Sequence, residues 1–116
     1  MPKIVHIALK VQDLDKASAF YQKVFGFTPV RTEDVRDHTS CHLSDGVIDL
    51  SLMRYEGESQ EVGIHHFGIE VDDLQAAVGE LSAAGCTILS PEGEIPIKFR
   101  DPNGVVAELV PPGRYK

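Results

Sequence analysis

Two imidazoles and one carboxylate, brought to one face, can hold a divalent first-row metal and leave coordination positions open for a substrate. This chain offers such a set in His6, His66 and Glu108. The two histidines stand sixty positions apart in segments that align without a gap, His6-Ile-Ala-Leu-Lys-Val-Gln-Asp-Leu14 and His66-Phe-Gly-Ile-Glu-Val-Asp-Asp-Leu74. An isolated strand histidine is more often a half-buried polar residue than a ligand. Two at equivalent places of a repeat, with a glutamate near the end of the chain on the same expected face, make a metal site the better account. Iron, manganese, nickel, cobalt or zinc would suit such donors.

The elements that position them follow from the repeat. Period-2 alternation makes each aligned segment a strand, with Val5, Ile7, Leu9 and Val11 on one face of the first and Phe67, Ile69 and Val71 on the matching face of the second. A capping aspartate follows each time, Asp13 or Asp15 and then Asp73. Leu14, Ala17, Tyr21, Val24 and Phe25 recur at helical spacing before Gly26, and Leu74, Ala77, Val78, Leu81 and Ala84 before Gly85. Strand-like stretches are expected at 28–34, 39–44 and 47–53, and again at 86–90, 95–100 and 105–110.

The expected fold is therefore α+β: two βαβββ modules in tandem, 1–53 and 64–116, joined by a polar linker at 54–63 within one domain spanning 1–116. A helix must cover the apolar side of each sheet, which leaves the other sides to form a cup. Strand parity puts His6, Ala8 and Lys10 on the cup side of one module and His66, Gly68 and Glu70 on that of the other. Glu108 joins them if Val105, Ala107 and Leu109 pack under the second helix.

The equivalent strand of the first module, Gly46-Val-Ile-Asp-Leu-Ser-Leu-Met53, is ambiguous by one residue. Counting from Gly46 as from Gly104 would put Leu50 opposite Glu108, whereas parity favours Asp49. Asp49 could ligate the metal, act through water, or only accept a hydrogen bond. His65 falls on the strand face opposite His66, and His38 and His42 receive no role beyond a place near the cup rim. Lys10, Lys98 and Arg100 are the cations placed to hold a substrate anion at its mouth.

Composition narrows the partners. A net charge of −7, with eleven Lys and Arg in no run or stripe, opposes a phosphate backbone, so nucleic acid is not an expected partner. No apolar run approaches the ~20 residues of a membrane span, and the N-terminus lacks the layout of a secretory signal, so the expected address is cytoplasmic. Cys41 and Cys86, in no metal-binding spacing, are expected to be reduced, structural thiols. Exposed sheet edges and an apolar face suggest a homodimer.

The motifs His6-x6-Asp13-Leu14, Phe20-Tyr21, Phe25-Gly26-Phe27, His66-x6-Asp73-Leu74 and Phe99-Arg-Asp-Pro-Asn-Gly104-x3-Glu108-Leu109 resemble those of the vicinal oxygen chelate (VOC) superfamily. That superfamily includes glyoxalases, extradiol dioxygenases, methylmalonyl-CoA epimerases and the bleomycin and fosfomycin resistance proteins. The resemblance spans nearly the whole chain and implies that His6, His66 and Glu108 are metal ligands. Glyoxalase I and the epimerases typically carry Glu or Gln at a fourth position, for which Asp49 is the candidate; the dioxygenases and fosfomycin enzymes use three protein ligands.

The resemblance further implies a lactoylglutathione lyase-like lyase or isomerase that works through a metal-bound enediolate, with Asp49, Glu70 or a metal-bound hydroxide as the base. One alternative is a three-ligand metalloenzyme of the extradiol dioxygenase or fosfomycin-resistance kind, although extradiol enzymes usually have twice this length. Another is a non-catalytic drug binder of the bleomycin-resistance kind, although such binders commonly lack the complete His, His, Glu set.

Overall fold

The computed structural model describes residues 1–35, 37–57 and 61–115. In chain order its elements are β1 (Lys3–Lys10), α1 (Leu14–Phe25), β2 (Thr28–Val35), β3 (His38–Ser44), β4 (Asp49–Tyr55), β5 (Gly63–Glu70), α2 (Leu74–Ala83), β6 (Ile97–Arg100) and β7 (Val106–Val110). The fold is α+β, and the chain divides into two compact units, residues 6–65 and residues 1–5 with 66–116. Among the described residues, no helix is long and apolar enough to cross a membrane.

Both helices start and stop where the sequence places their caps. The Asp13 carboxylate accepts the Lys16 N–H at 2.9 Å, and that of Asp73 accepts the Ala76 N–H at 3.0 Å. Each satisfies one of the donors that a helix start leaves without an intrahelical partner. Gly26 closes α1 at φ 72°, a left-handed conformation that a residue with a Cβ adopts only at a cost.

In the unit of residues 6–65, β2, β3 and β4 form an antiparallel meander, and β1 runs parallel to β4 with His6 opposite Asp49 and Ala8 opposite Ser51. Cys41, Leu43 and Leu52 form the buried core of this unit, with Leu9 and Leu50 from the strands, Val11 just after β1, and Leu14, Ala17 and Tyr21 from α1 packed against it. In the other unit β7 lies between β5, which is parallel to it, and β6, which is antiparallel. There Val71, Phe99, Ala107 and Leu109 are buried under Leu74, Ala77, Val78 and Leu81 of α2. The period-2 and helical patterns thus meet in each unit as expected, and the opposite strand faces carry the polar residues.

Four expectations need correction. The stretch 86–90 makes a single bridge, Ile88 to Phe99, in place of a strand. Pro91 follows at once, and the Ser90 hydroxyl takes over part of the ladder: it accepts the Lys98 N–H at 2.7 Å and donates to the Pro96 carbonyl at 3.2 Å. Val24 and Phe25 do not join the core; they are 58% and 59% exposed, and the Phe25 ring lies beside those of Phe20 and Tyr21. Val105 is half exposed and precedes β7, because its N–H is drawn to the Asp101 carboxylate of the hairpin loop at 2.9 Å. The connection expected at 54–63 is shorter at its start, since β4 continues through Tyr55, and residues 58–60 lie outside the described ones.

Candidate functional site

The polar strand faces carry two buried groups of side chains, one in each unit. In the unit of residues 6–65, His6 on β1 lies across from Asp49 on β4, and its Nδ1 is 2.6 Å from Asp49 Oδ2. Since a carboxylate only accepts, Nδ1 carries the proton, and the Nε2 of a neutral ring then carries the lone pair that a metal would need. His42 on β3 approaches the same carboxylate, its Nδ1 3.0 Å from Oδ1 and 3.1 Å from Oδ2. The other nitrogen of His42, Nε2, is 3.2 Å from Glu33 Oε1 and 3.4 Å from Ser40 Oγ. His6, Ser40, His42, Asp49 and Ser51 are all buried.

Two opposing effects act on Asp49. Burial pushes its carboxyl up, but the hydrogen bonds from His42 and His6, reinforced by their charge, outweigh it and hold the group below the usual carboxylate range. Both Asp49 oxygens meet histidine ring nitrogens, Oδ2 that of His6 and both that of His42.

In the other unit, His66 on β5 and Glu108 on β7 are both buried, with His66 Nε2 3.5 Å from Glu108 Oε2. The second carboxylate oxygen, Oε1, accepts the Tyr115 hydroxyl at 2.7 Å. A buried imidazole and carboxylate held this close are the donor types of a divalent-metal site.

The strand registers set these groups in correspondence. Gly68 lies opposite Glu108, and Gly68 repeats Ala8, which lies opposite Ser51. Ser51 therefore occupies the place of Glu108 in the first half, and Asp49 that of Val106. In the hairpins, His42 lies opposite Ser51 and Lys98 opposite Glu108, so His42 and Lys98 correspond as well.

The remaining residues singled out from the sequence have varied surroundings. Glu70 shares the strand face of His66, and its carboxylate accepts the Gly113 N–H at 3.1 Å and lies 3.7 Å from Lys3 Nζ. The Lys10 ammonium sits over the Tyr55 ring at 4.9 Å from its centroid, with His38 stacked on the same ring at 4.5 Å and His65 at 5.8 Å. Arg100 donates to the Gly104 carbonyl at 3.0 Å and so closes its own hairpin loop. Lys98 shares the face of Glu108. Cys41 and Cys86 are free thiols.

Neither His42, beyond a place near the cup rim, nor Tyr115 has a role among the sequence expectations. The alternation of His38, Ser40 and His42 with Cys41 and Leu43 was a usable signal for the first, since it puts His42 on the polar face of β3. For Tyr115, beyond Pro111-Pro112-Gly113, no periodicity marks a partner.

With this geometry, the chain belongs to the Glyoxalase/Bleomycin resistance protein/Dioxygenase superfamily, whose family model matches residues 3–109. Among its relatives is "Methylmalonyl-CoA epimerase, mitochondrial" of Mus musculus, 30% identical over 92% of this chain and 71% of that protein. A "Probable lactoylglutathione lyase" of Vibrio parahaemolyticus is 28% identical, over 93% of this chain and 89% of that protein. The crystal structure of methylmalonyl-CoA epimerase from Mycobacterium tuberculosis shares the fold, with a TM-score of 0.76 and 23% identity over 94% of this chain and 87% of that one.

Proposed function

We propose that this chain is a divalent-metal-dependent enzyme of the lyase or isomerase type, moving a proton at a carbon next to a substrate carbonyl, with His6, His66 and Glu108 as its metal ligands. One observation carries the reading: each half of the duplicated chain buries an imidazole at the same place of the repeat, and the second half buries a carboxylate beside it. Burying such groups is costly unless they are paired or coordinate an ion, and two nitrogens with one oxygen suit a first-row divalent cation. The epimerase and lyase relatives favour proton transfer as the reaction class.

When bound, the metal would chelate adjacent substrate oxygens and stabilise negative charge that develops on them. The chain's own residues do the rest. Asp49, both of whose oxygens meet histidines, orients His6. Tyr115 holds one oxygen of Glu108 and leaves the other facing His66. Glu70, on the strand face of His66, is the candidate base, and Lys98, opposite Glu108 in the ladder, is the cation placed to meet an anionic substrate group, with Lys10 and Arg100 as the further candidates.

The test is metal analysis of protein purified without chelator, followed by assay against 2-methyl-branched acyl-CoA thioesters and the glutathione adducts of 2-oxoaldehydes. Tightly held, stoichiometric metal with proton exchange in either substrate supports the reading; metal-free protein without turnover contradicts it. A three-ligand enzyme of the dioxygenase or fosfomycin-resistance type is the second reading. It is favoured by Ser51 at the place of Glu108, where no fourth carboxylate or amide stands. Iron in the purified protein would turn the choice toward it. The proposed assembly is a homodimer, which light scattering at micromolar concentration would check.

A further inference from the structure

The polar core of residues 6–65 holds more than the proposed ligand and its orienting carboxylate. His42 is buried and belongs to no proposed ligand set, yet it lies between two acidic groups, Asp49 on its Nδ1 side and Glu33 on its Nε2 side. Ser40, two residues earlier on β3, lies 3.4 Å from the Nε2 atom. The four residues Glu33, His42, Asp49 and His6 come from four strands and form one continuous line of polar contacts ending on the His6 ring. At the corresponding places the second half has Val106 for Asp49 and Lys98 for His42, so the repeat alone does not account for the line. It is a local addition to one histidine.

We propose that His42 is a positioning residue for the metal centre: by fixing Asp49 from the side opposite His6, it holds the His6 ring with Nδ1 protonated and Nε2 presented to the ion. The inference rests on the metal-site reading above and extends it to a residue outside the proposed ligand set. A short aspartate can accept from His6 in several rotamers, only some of which keep the imidazole plane in place. A second imidazole against both carboxylate oxygens selects one rotamer, and the β3–β4 pairing of His42 with Ser51 fixes where that imidazole stands. Partners of this kind around a ligating histidine typically set 10–100-fold of metal affinity.

The experiment uses the whole chain, with His42→Ala and His42→Gln, Gln retaining an amide donor of similar reach. Zn(II) affinity is measured by competition with a chromophoric chelator, and the His6 tautomer is read in metal-free protein, in mildly alkaline buffer, from the long-range 1H–15N correlations of its ring. In the wild type the Nδ1–H form of His6 should dominate. His42→Ala should bind Zn(II) about 10–100-fold more weakly and show a mixed His6 tautomer, with His42→Gln restoring part of both. An unchanged affinity, or an unchanged tautomer, in folded His42→Ala overturns the proposal. If His42→Ala does not fold, His42→Gln decides: weaker Zn(II) binding with a mixed His6 tautomer supports the positioning role, and wild-type values contradict it. Should the wild type bind no Zn(II), the metal reading fails and the tautomer comparison still decides the orienting role of His42.

Discussion

The two halves of this chain start from the same histidine and build different surroundings for it. In the first half His6 meets a carboxylate that is itself held by a second imidazole, and the place of Glu108 is taken by Ser51. In the second half the carboxylate stands at that place, as Glu108, and the position of Asp49 is the apolar Val106. Duplication thus supplies the scaffold twice. Two differences of opposite sense, Asp49 against Val106 and Ser51 against Glu108, divide the polar groups between the halves; in the proposed metal site the first half would support a histidine and the second would supply an anionic donor.

That division can be broken at its strongest point by removing Glu108. The Glu108→Ala protein should lose metal affinity by more than the ~10–100-fold of an outer-sphere change, because a direct bond is gone. Competition with a chromophoric chelator measures it, and affinity within tenfold of the wild type would mean that Glu108 is no ligand. Asp49→Asn should cost less, about 10–100-fold, since it weakens the orientation of His6 without deleting a donor. Val106→Ala, at the corresponding place of the second half, should leave affinity unchanged. Equal losses in the two proteins would erase the asymmetry.

Smaller effects sharpen the picture. Tyr115→Phe deletes one hydrogen bond to a buried carboxylate and should destabilise the fold by about 1.5–3 kcal/mol, measured by urea unfolding. No change would place the hydroxyl outside the site's support. The smallest expected effect is at the β3–β4 hairpin, where Asp45 accepts the N–H groups of Val47 and Ile48 at 2.8 and 2.6 Å. Those bonds hold its carboxyl below the usual range. Its contribution is therefore complete above the ordinary aspartate pKa and is lost as pH falls through the lowered one. Asp45→Ala should cost no more than about 1 kcal/mol at neutral pH, because the group is exposed, and the difference from wild type should shrink in acid.

These hairpins also show what the sequence could and could not reveal. Strand parity was legible, and it put Asp49 on the face of His6 because β4 alternates without interruption. The frame relative to the second half was not. The β6–β7 loop has one residue more than the β3–β4 loop between paired ends, Arg100 to Val106 against Ser44 to Asp49. Counting from Gly46 and Gly104 therefore misses the true partner, Ser51, by one position. His42 carried a visible parity, but its importance comes from cross-strand neighbours that no local pattern names. The expected strand at 86–90 failed for the opposite reason: its local pattern was adequate, and a serine hydroxyl took over part of its ladder with β6.

The most direct measurement is the metal content of three proteins purified without chelator and dialysed in parallel: wild type, His6→Ala and His66→Ala. About one divalent ion per chain is expected in the wild type and little in either variant, while both remain folded by circular dichroism. Stoichiometric metal retained in the two histidine variants, or none in the wild type, would contradict the proposed metal site.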